Sequence, residues 1–278
     1  MNDSRGVVLI VCLWISGLII WIAMSTAIIF RFMLSSEGSV VSRFYARYAA
    51  LGGVQEALAR MGWEAGRKLE LEDVGKKEWR PDGTVHALSY SRCTVRVRIE
   101  EESTKINANL VDRGELEKIL TEKSGLSQET AKIWTDRIMD FIDGDDVSRD
   151  LGAEKIEYEE AGLSYGPFNR PLRYIEEILL IPGVEWETFW YGMETDDQDD
   201  LLPGIRSPFS LLTVYGNRKA LVEDAENEET VVWKNGGLYR ILSGALCGRY
   251  GRVVIYAIVK LDTGSVPHYR IVEIKEML

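Results

Sequence analysis

The chain has 278 residues, 46% hydrophobic and 28% charged, which is enough for one substantial core or two smaller ones. Its 33 Lys and Arg residues are outnumbered by 44 Asp and Glu residues, and the formal net charge of −11 argues against nucleic acid or anionic lipid as a partner of its polar part. Two histidines are present in all, which excludes a His-rich zinc site and disfavours a His-dependent catalytic triad.

Residues 7–30 form an apolar run without a charged side chain. As a helix, this run is long enough to cross the roughly 30 Å hydrocarbon core of a bilayer. A cleaved signal peptide has an apolar core of about 7–15 residues followed by a small-residue cleavage site. Here the run is longer and ends at Arg31, so the sequence predicts a membrane anchor that the mature protein keeps.

The helical pattern continues beyond the apolar run. Apolar residues recur at steps of three and four at Val40, Phe44, Tyr48, Leu51, Val54, Leu58 and Met61. The sequence therefore predicts one helix over residues 7–62, half in lipid and half packed on a globular head. Gly38, Gly52 and Gly53 weaken that helix locally, each by up to about 1 kcal/mol relative to alanine.

Residues 84–110 have the pattern of β-strands. Four apolar residues alternate with polar ones there, as in a half-buried strand: Cys93, Val95, Val97 and Ile99. Cys247 falls in a second strand-like segment. In an oxidising compartment, a Cys93–Cys247 disulfide and two buried free thiols are both compatible with the sequence.

The pattern then becomes helical over residues 114–123, after Ser127 as a helix N-cap, over 174–181, and in a short helix through Trp186. Strand patterns return at 209–215, 231–234, 238–242, 252–261 and 269–275. Strands, then helices, then strands predict an α+β fold with an all-helical insertion, because the flanking strands can still share one sheet.

An acidic loop lies between two of the predicted helices. Its carboxylates are Asp140, Asp143, Asp145, Asp146, Glu154, Glu157, Glu159 and Glu160. Hard oxygens in a flexible loop suit Ca²⁺, which takes six to eight oxygen ligands. The spacing is not that of an EF-hand, and a solvated acidic loop is the alternative. The predicted ligands are Asp143, Asp145, Asp146, Glu154 and Glu157.

Residues 180–184 read LIPGV and resemble the hairpin of helix-hairpin-helix DNA-binding modules. The flanking residues Glu176, Glu177, Glu185 and Glu187 carry the wrong charge for phosphate contacts, so a packing role is favoured. A membrane-anchored DNA-binding protein stays as an alternative. The phosphate-binding and nucleophile motifs G-x-x-x-x-G-K-[ST] and G-x-S-x-G are absent from the sequence, and we expect no enzymatic activity.

Several segments, in order, resemble the minor pseudopilin K family of type II secretion systems. They are a leader ending Arg5-Gly6, then VVLIVCLW, YARYAALGGVQEALARM, EEESTKINANLVD, IMDFIDGDD, GAEKIEYEE, FNRPLRYIEEILLIPGV and SLLTVYG. The resemblance covers most of the chain. It implies a pilin-like α+β fold, in which a long N-terminal transmembrane helix packs on an antiparallel sheet and a large all-helical domain is inserted.

The resemblance also implies the organisation of the chain. Residues 1–6 are a prepilin leader, and 7–62 are the N-terminal helix with 7–30 in the membrane. Residues 63–110 begin the pilin-like body, 111–206 form the inserted helical domain, and 207–278 complete the body. Prepilin peptidase is expected to cut after Gly6 and leave an N-methylated Val7.

The same resemblance implies a location and partners. We expect an inner-membrane protein with a periplasmic head, partnered by I- and J-type minor pseudopilins, with calcium bound in its helical domain. Most pilins carry a glutamate at the fifth mature position, where this chain has Val11. A subunit with nothing ahead of it needs no such carboxylate, so Val11 fits a subunit at the tip. A minor pilin of a type IV pilus machine is the remaining alternative.

Overall fold

A computed structural model describes residues 3–66, 79–193, 201–220, 233–248 and 250–277. Helix α1 runs unbroken over Asp3–Gly66, a length of about 96 Å at 1.5 Å per residue. Its segment Ile10–Ile28 has a mean hydropathy of 2.1 and is the one helix in the described residues that is long and apolar enough to cross a membrane. The helix ends four residues after the predicted limit, and Gly38, Gly52 and Gly53 do not interrupt it.

Five antiparallel strands form the main sheet. In chain order the strands of the protein are β1 (Asp82–Tyr90), β2 (Cys93–Glu101), β3 (Ile106–Asn107), β4 (Leu212–Thr213), β5 (Leu238–Cys247), β6 (Gly251–Leu261) and β7 (Tyr269–Met277). The order across the sheet is β1-β2-β5-β6-β7. Since β2 and β5 are neighbours, everything between them is inserted into one sheet, and this arrangement confirms the predicted fold class.

Between β3 and β4 lie the helices, which we call the helical insert (residues 108–211). They are α2 (Arg113–Lys118), α3 (Gln128–Ile142), α4 (Lys155–Glu160), α5 (Trp186–Tyr191) and α6 (Pro208–Leu211). The Ser127 hydroxyl accepts a hydrogen bond from the Thr130 backbone N–H at 3.1 Å, which confirms the predicted N-cap of α3. β3 and β4 pair in parallel, so the insert begins and ends at adjacent points.

Three of the secondary-structure predictions were wrong in part. Residues 209–215 were predicted as a strand, but Ser207 caps the short helix α6 and only β4 is extended there, because Pro208 favours the first turn of a helix. The predicted helix at 174–181 is a 3₁₀ helix over Ile175–Leu180. In the predicted strand 231–234, Trp233 and Lys234 are not in a strand, and the first two residues lie outside the described residues.

Helix α1 packs on one face of the sheet through small residues. Ala46, Ala50 and Ala57 are fully buried there, among side chains of β2, β5 and β6. Gly53 allows the closest approach, since a Cβ on it would lie 2.3 Å from Ser243 Oγ. The predicted apolar stripe is therefore divided into two parts. Val54, Leu58 and Met61 are buried, but Val40, Phe44 and Tyr48 are 68%, 58% and 59% exposed.

The helical insert covers the opposite face of the sheet. Leu242, Val254, Tyr256 and Ile258 pack there against the insert's own core, which includes Trp134. With both faces covered, β6 is buried along nearly its whole length, which explains its continuous apolar sequence. The predicted alternation in β2 is confirmed for Cys93, Val95, Val97 and Ile99, which all face α1.

A buried ion pair lies where the insert joins the sheet. Arg240 on β5 and Glu102 after β2 are each 1% exposed. The Arg240 guanidinium donates to both carboxylate oxygens, from Nε at 3.0 Å and from Nη2 at 2.5 Å, and the Thr213 hydroxyl donates to Oε1 at 2.5 Å. Because Nη2 also donates to the Leu212 carbonyl at 3.1 Å, this pair ties the end of the insert to the sheet.

Candidate functional site

Asp140 organises the predicted acidic loop, which connects α3 to α4. The carboxylate lies in the last turn of α3 and is completely buried. Its Oδ2 accepts hydrogen bonds from the backbone N–H groups of Arg149 at 3.2 Å and Ala153 at 3.0 Å. Gly152 makes this possible, because a Cβ at that position would lie 1.8 Å from the same oxygen. The loop thus wraps around one buried charge.

Arg149 is the cation inside this loop. Its Nη1 donates to Asp143 Oδ2 at 2.6 Å and also to Asp140 Oδ1. The other oxygen of Asp143, Oδ1, is buried and has no hydrogen-bond partner. Arg149 therefore pairs with one oxygen of Asp143 and leaves the other without a partner.

Glu154 is the most unusual carboxylate of the loop. It is 6% exposed, and its side chain faces the Glu157 backbone N–H in a capping box, but neither oxygen makes a hydrogen bond of normal geometry. Burial, together with the negative charges of Asp140, Asp143, Asp146 and Asp145, raises the pKa of Glu154 to about 7. A buried carboxylate in this position stays protonated or binds a cation.

Asn169 is a member of the site that the sequence analysis missed. Its side-chain nitrogen donates to the Asp145 carbonyl at 3.0 Å and to Asp146 Oδ1 at 3.1 Å, which leaves its carbonyl oxygen Oδ1 buried without a partner. Asp146, Glu154 and Asn169 line a cavity of about 370 Å³. Asn169 has a positive φ of 46°, a conformation that asparagine tolerates better than most residues. An asparagine in a predicted loop was therefore the one sequence signal that pointed to this position.

The structure places the five predicted ligands differently from one another. Asp146 and Glu154 face the cavity, and Asp143 is shared with Arg149. Asp145 Oδ1 accepts from the Val147 backbone N–H at 2.9 Å, and Glu157 accepts from the Glu154 backbone N–H at 2.8 Å as a helix cap. Across the described ranges, no three Asp, Glu, His or Cys side chains converge as a metal-binding group.

The chemistry of the unpartnered atoms nevertheless suits calcium. They are all hard oxygens and come from three separate segments: Asp143 Oδ1, both oxygens of Glu154, and Asn169 Oδ1. Buried polar atoms are normally hydrogen-bonded, and these four acceptors have no hydrogen-bond partner. Carboxylate and amide oxygens are ligands that Ca²⁺ prefers.

The hairpin at 180–184 packs on α3. The Trp134 indole N–H donates to the Gly183 carbonyl at 3.1 Å, and Arg137 donates to the Pro182 carbonyl. Gly183 has a φ of +80°, which glycine adopts without strain. The contacts of this hairpin are therefore those of a packing element inside the insert.

Cys93 and Cys247 form a disulfide in the structure, with their Cα atoms 4.2 Å apart. They are directly paired residues of β2 and β5. The bridge therefore closes the sheet at the two strands between which the helical insert leaves and returns. Cys12, in the apolar part of α1, is free.

The second candidate site is an exposed apolar surface on α1, which we call the α1 stripe: Val40, Val41, Phe44, Tyr45 and Tyr48. Each of these side chains is more than half exposed. The rings of Phe44 and Tyr48 lie 4.6 Å apart, so they form one continuous surface. Gly6 and Val7, at the predicted processing site, lie within the backbone of the same helix.

Comparison with known proteins adds the following. Residues 101–190 match the family described as type II secretion system (T2SS), protein K. No curated protein matches the chain. Among solved structures, the crystal structure of the GspK-GspI-GspJ complex from the enterotoxigenic Escherichia coli type 2 secretion system is similar at 13% identity, covering 88% of this chain and 98% of that chain, with a TM-score of 0.47. The family match supports the predicted resemblance over residues 101–190, and these residues contain the acidic loop.

Proposed function

We propose that the chain is a minor pseudopilin that lies at the tip of a type II secretion pseudopilus and initiates its assembly with I- and J-type minor pseudopilins. The observation that carries this proposal is helix α1. It is one continuous helix with an apolar span at one end and the α1 stripe between that span and the head. A contiguous exposed patch of this kind marks a protein interaction surface.

In this proposal, prepilin peptidase removes residues 1–6 and the mature chain begins at a methylated Val7. The apolar span holds the subunit in the inner membrane with the head in the periplasm. On assembly, the span exchanges lipid contacts for contacts with the helices of other pseudopilins. Val11 places no carboxylate in that bundle, which suits a subunit with none ahead of it.

The α1 stripe supplies the test. The variant Phe44→Ala/Tyr48→Ala removes its two adjacent rings, which are exposed and do not pack on the sheet. We expect it to reduce copurification of the full chain with coexpressed I- and J-type pseudopilins. The control, Val147→Ala/Ile156→Ala, removes two exposed apolar side chains of the helical insert and should leave copurification unchanged. Unchanged capture by the stripe variant would refute the proposed assembly surface.

Processing is tested independently by mass spectrometry of the mature N-terminus. A methylated Val7 is the expected first residue. An intact leader on the protein isolated from cells would remove prepilin processing from the proposal.

We also propose that the acidic loop binds Ca²⁺. Glu154, Asp143, Asp146 and Asn169 would hold the ion through the oxygens described above. A bound divalent cation supplies positive charge, which would neutralise a loop whose carboxylates otherwise repel one another. Thermal unfolding of the full chain with calcium and with a chelator tests this, and equal melting temperatures would count against the site.

A further inference from the structure

We propose that Arg149 is an internal counter-ion that occupies the Asp140–Asp143 side of the acidic loop and sets how tightly the loop binds calcium. This inference rests on the proposed calcium site. It concerns a residue of the chain that competes with the metal, rather than the metal ligands themselves.

The contacts of Arg149 place a fixed positive charge against two carboxylates. Its Nη1 bridges Asp143 Oδ2, at 2.6 Å, and Asp140 Oδ1. Its own backbone N–H donates to Asp140 Oδ2 at 3.2 Å, so main chain and side chain hold the same aspartate. Two carboxylates of the cluster are therefore partly neutralised before any metal arrives.

The other side of the loop has no comparable cation among the described residues. Glu154 is almost completely buried, and yet neither of its carboxylate oxygens makes a hydrogen bond of normal geometry. It lines the cavity together with Asn169. The neighbouring Lys155 does not serve it, since its side chain is 82% exposed and its Nζ lies 3.9 Å from Glu159 instead. Arg149 thus pairs with Asp140 and Asp143, and Glu154 has no cation of the chain paired with it.

Two consequences follow for calcium. Asp143 cannot offer both oxygens to the metal while Oδ2 is held by Arg149, so it contributes Oδ1 alone. A Ca²⁺ bound to Asp143 and Glu154 also lies close to the guanidinium, and the two positive charges repel each other. Arg149 therefore lowers calcium affinity and at the same time allows the loop to fold without the metal.

The test uses the full-length protein in detergent. The variant Arg149→Met keeps most of the side-chain stem and removes the charge. Lys123→Met makes the same change on an exposed side chain of the helical insert that does not line the cavity. Calcium affinity is measured by calorimetry, and melting temperatures are measured in calcium and in chelator. For Arg149→Met we expect about tenfold tighter calcium binding. We also expect a lower melting temperature in chelator and a larger rise on adding calcium, whereas Lys123→Met should behave as the unmodified chain.

The outcomes separate this inference from the calcium proposal. If the unmodified chain and Arg149→Met bind calcium equally, the counter-ion role is refuted while the calcium site stands. If neither binds, both fall. If Arg149→Met alone binds, Arg149 takes the place of the metal in the native chain. Should Arg149→Met not fold in either buffer, Arg149→Lys decides. The lysine ammonium should contact fewer carboxylate oxygens than the guanidinium, so we expect Arg149→Lys to bind calcium more tightly than the unmodified chain. An equal calcium affinity would refute the counter-ion role.

Discussion

Replacing Gly53 with alanine should weaken the packing of α1 on the sheet. The added methyl group would lie 2.3 Å from Ser243 Oγ and 2.9 Å from a methyl carbon of each of Val95 and Val97. All three neighbours are fully buried in strands that pair with one another, so they have little room to move. The helix or the sheet must shift to accommodate a single carbon atom.

The neighbouring residue supplies a matched control. A Cβ on Gly52 would meet the Tyr90 ring at 3.6 Å, which is ordinary van der Waals contact. Alanine at either position gains about 1 kcal/mol of helix propensity. At Gly53 the overpacking costs about 3 kcal/mol, so the net loss is about 2 kcal/mol. At Gly52 the gain is kept.

The assay is thermal unfolding of the full chain in detergent at constant calcium, followed by tryptophan fluorescence. A loss of about 2 kcal/mol corresponds to a melting temperature roughly 4–8 °C lower for Gly53→Ala. Gly52→Ala should melt at or slightly above the unmodified chain. If the two variants are equally stable, α1 does not approach the sheet as closely as the structure places it, and the packing argument fails.

Three further predictions concern buried charge, the disulfide and pH. Glu102→Gln removes the partner of buried Arg240 and should cost about 3–5 kcal/mol of unfolding free energy in denaturant titration, and a loss below 1 kcal/mol would contradict the pairing. Replacing Cys93 and Cys247 with serine should cost up to about 5 kcal/mol by the same measurement, because the bridge closes a loop of 154 residues, and unchanged stability would argue against the bond. In chelator, the unfolding free energy should fall as pH rises from about 4.5 to about 7, because burial and the neighbouring aspartates raise the pKa of Glu154 to about 7 and the folded state therefore holds its proton longer. Glu154→Gln should flatten that profile, and an unchanged slope would show that another group is responsible.

Much of the architecture could be predicted from local patterns. The alternation of Cys93, Val95, Val97 and Ile99 identified the face of β2 that packs on α1, because side chains point to opposite faces with a period of two. Ser127 marked a helix start, since its hydroxyl satisfies a free backbone N–H. Both signals depend only on residues close in sequence.

Features set by distant residues could not be predicted in this way. The helical period in α1 did not distinguish residues that face the sheet from those that face outward. The residues that pack on the sheet include small ones such as Ala50, which the apolar pattern did not single out. Asn169 reaches the acidic loop only through the fold of the insert. Arg149 lies within the loop, but its spacing did not show which aspartates it contacts. The cluster was visible in the sequence, but the cation and the amide that complete it were not.

The parallel pairing of β3 with β4 determines how a pulling force would travel through the molecule. Both ends of the helical insert leave the sheet at this one point, next to the Arg240–Glu102 pair. Tension applied along α1 would enter the sheet through its contacts with β2, β5 and β6, and the Cys93–Cys247 bond links the first two of these strands. The insert would receive that force only through its packing on the opposite face of the sheet. Because both ends of the insert lie side by side, stretching α1 does not pull them apart, and the insert would keep its shape while α1 is pushed or pulled.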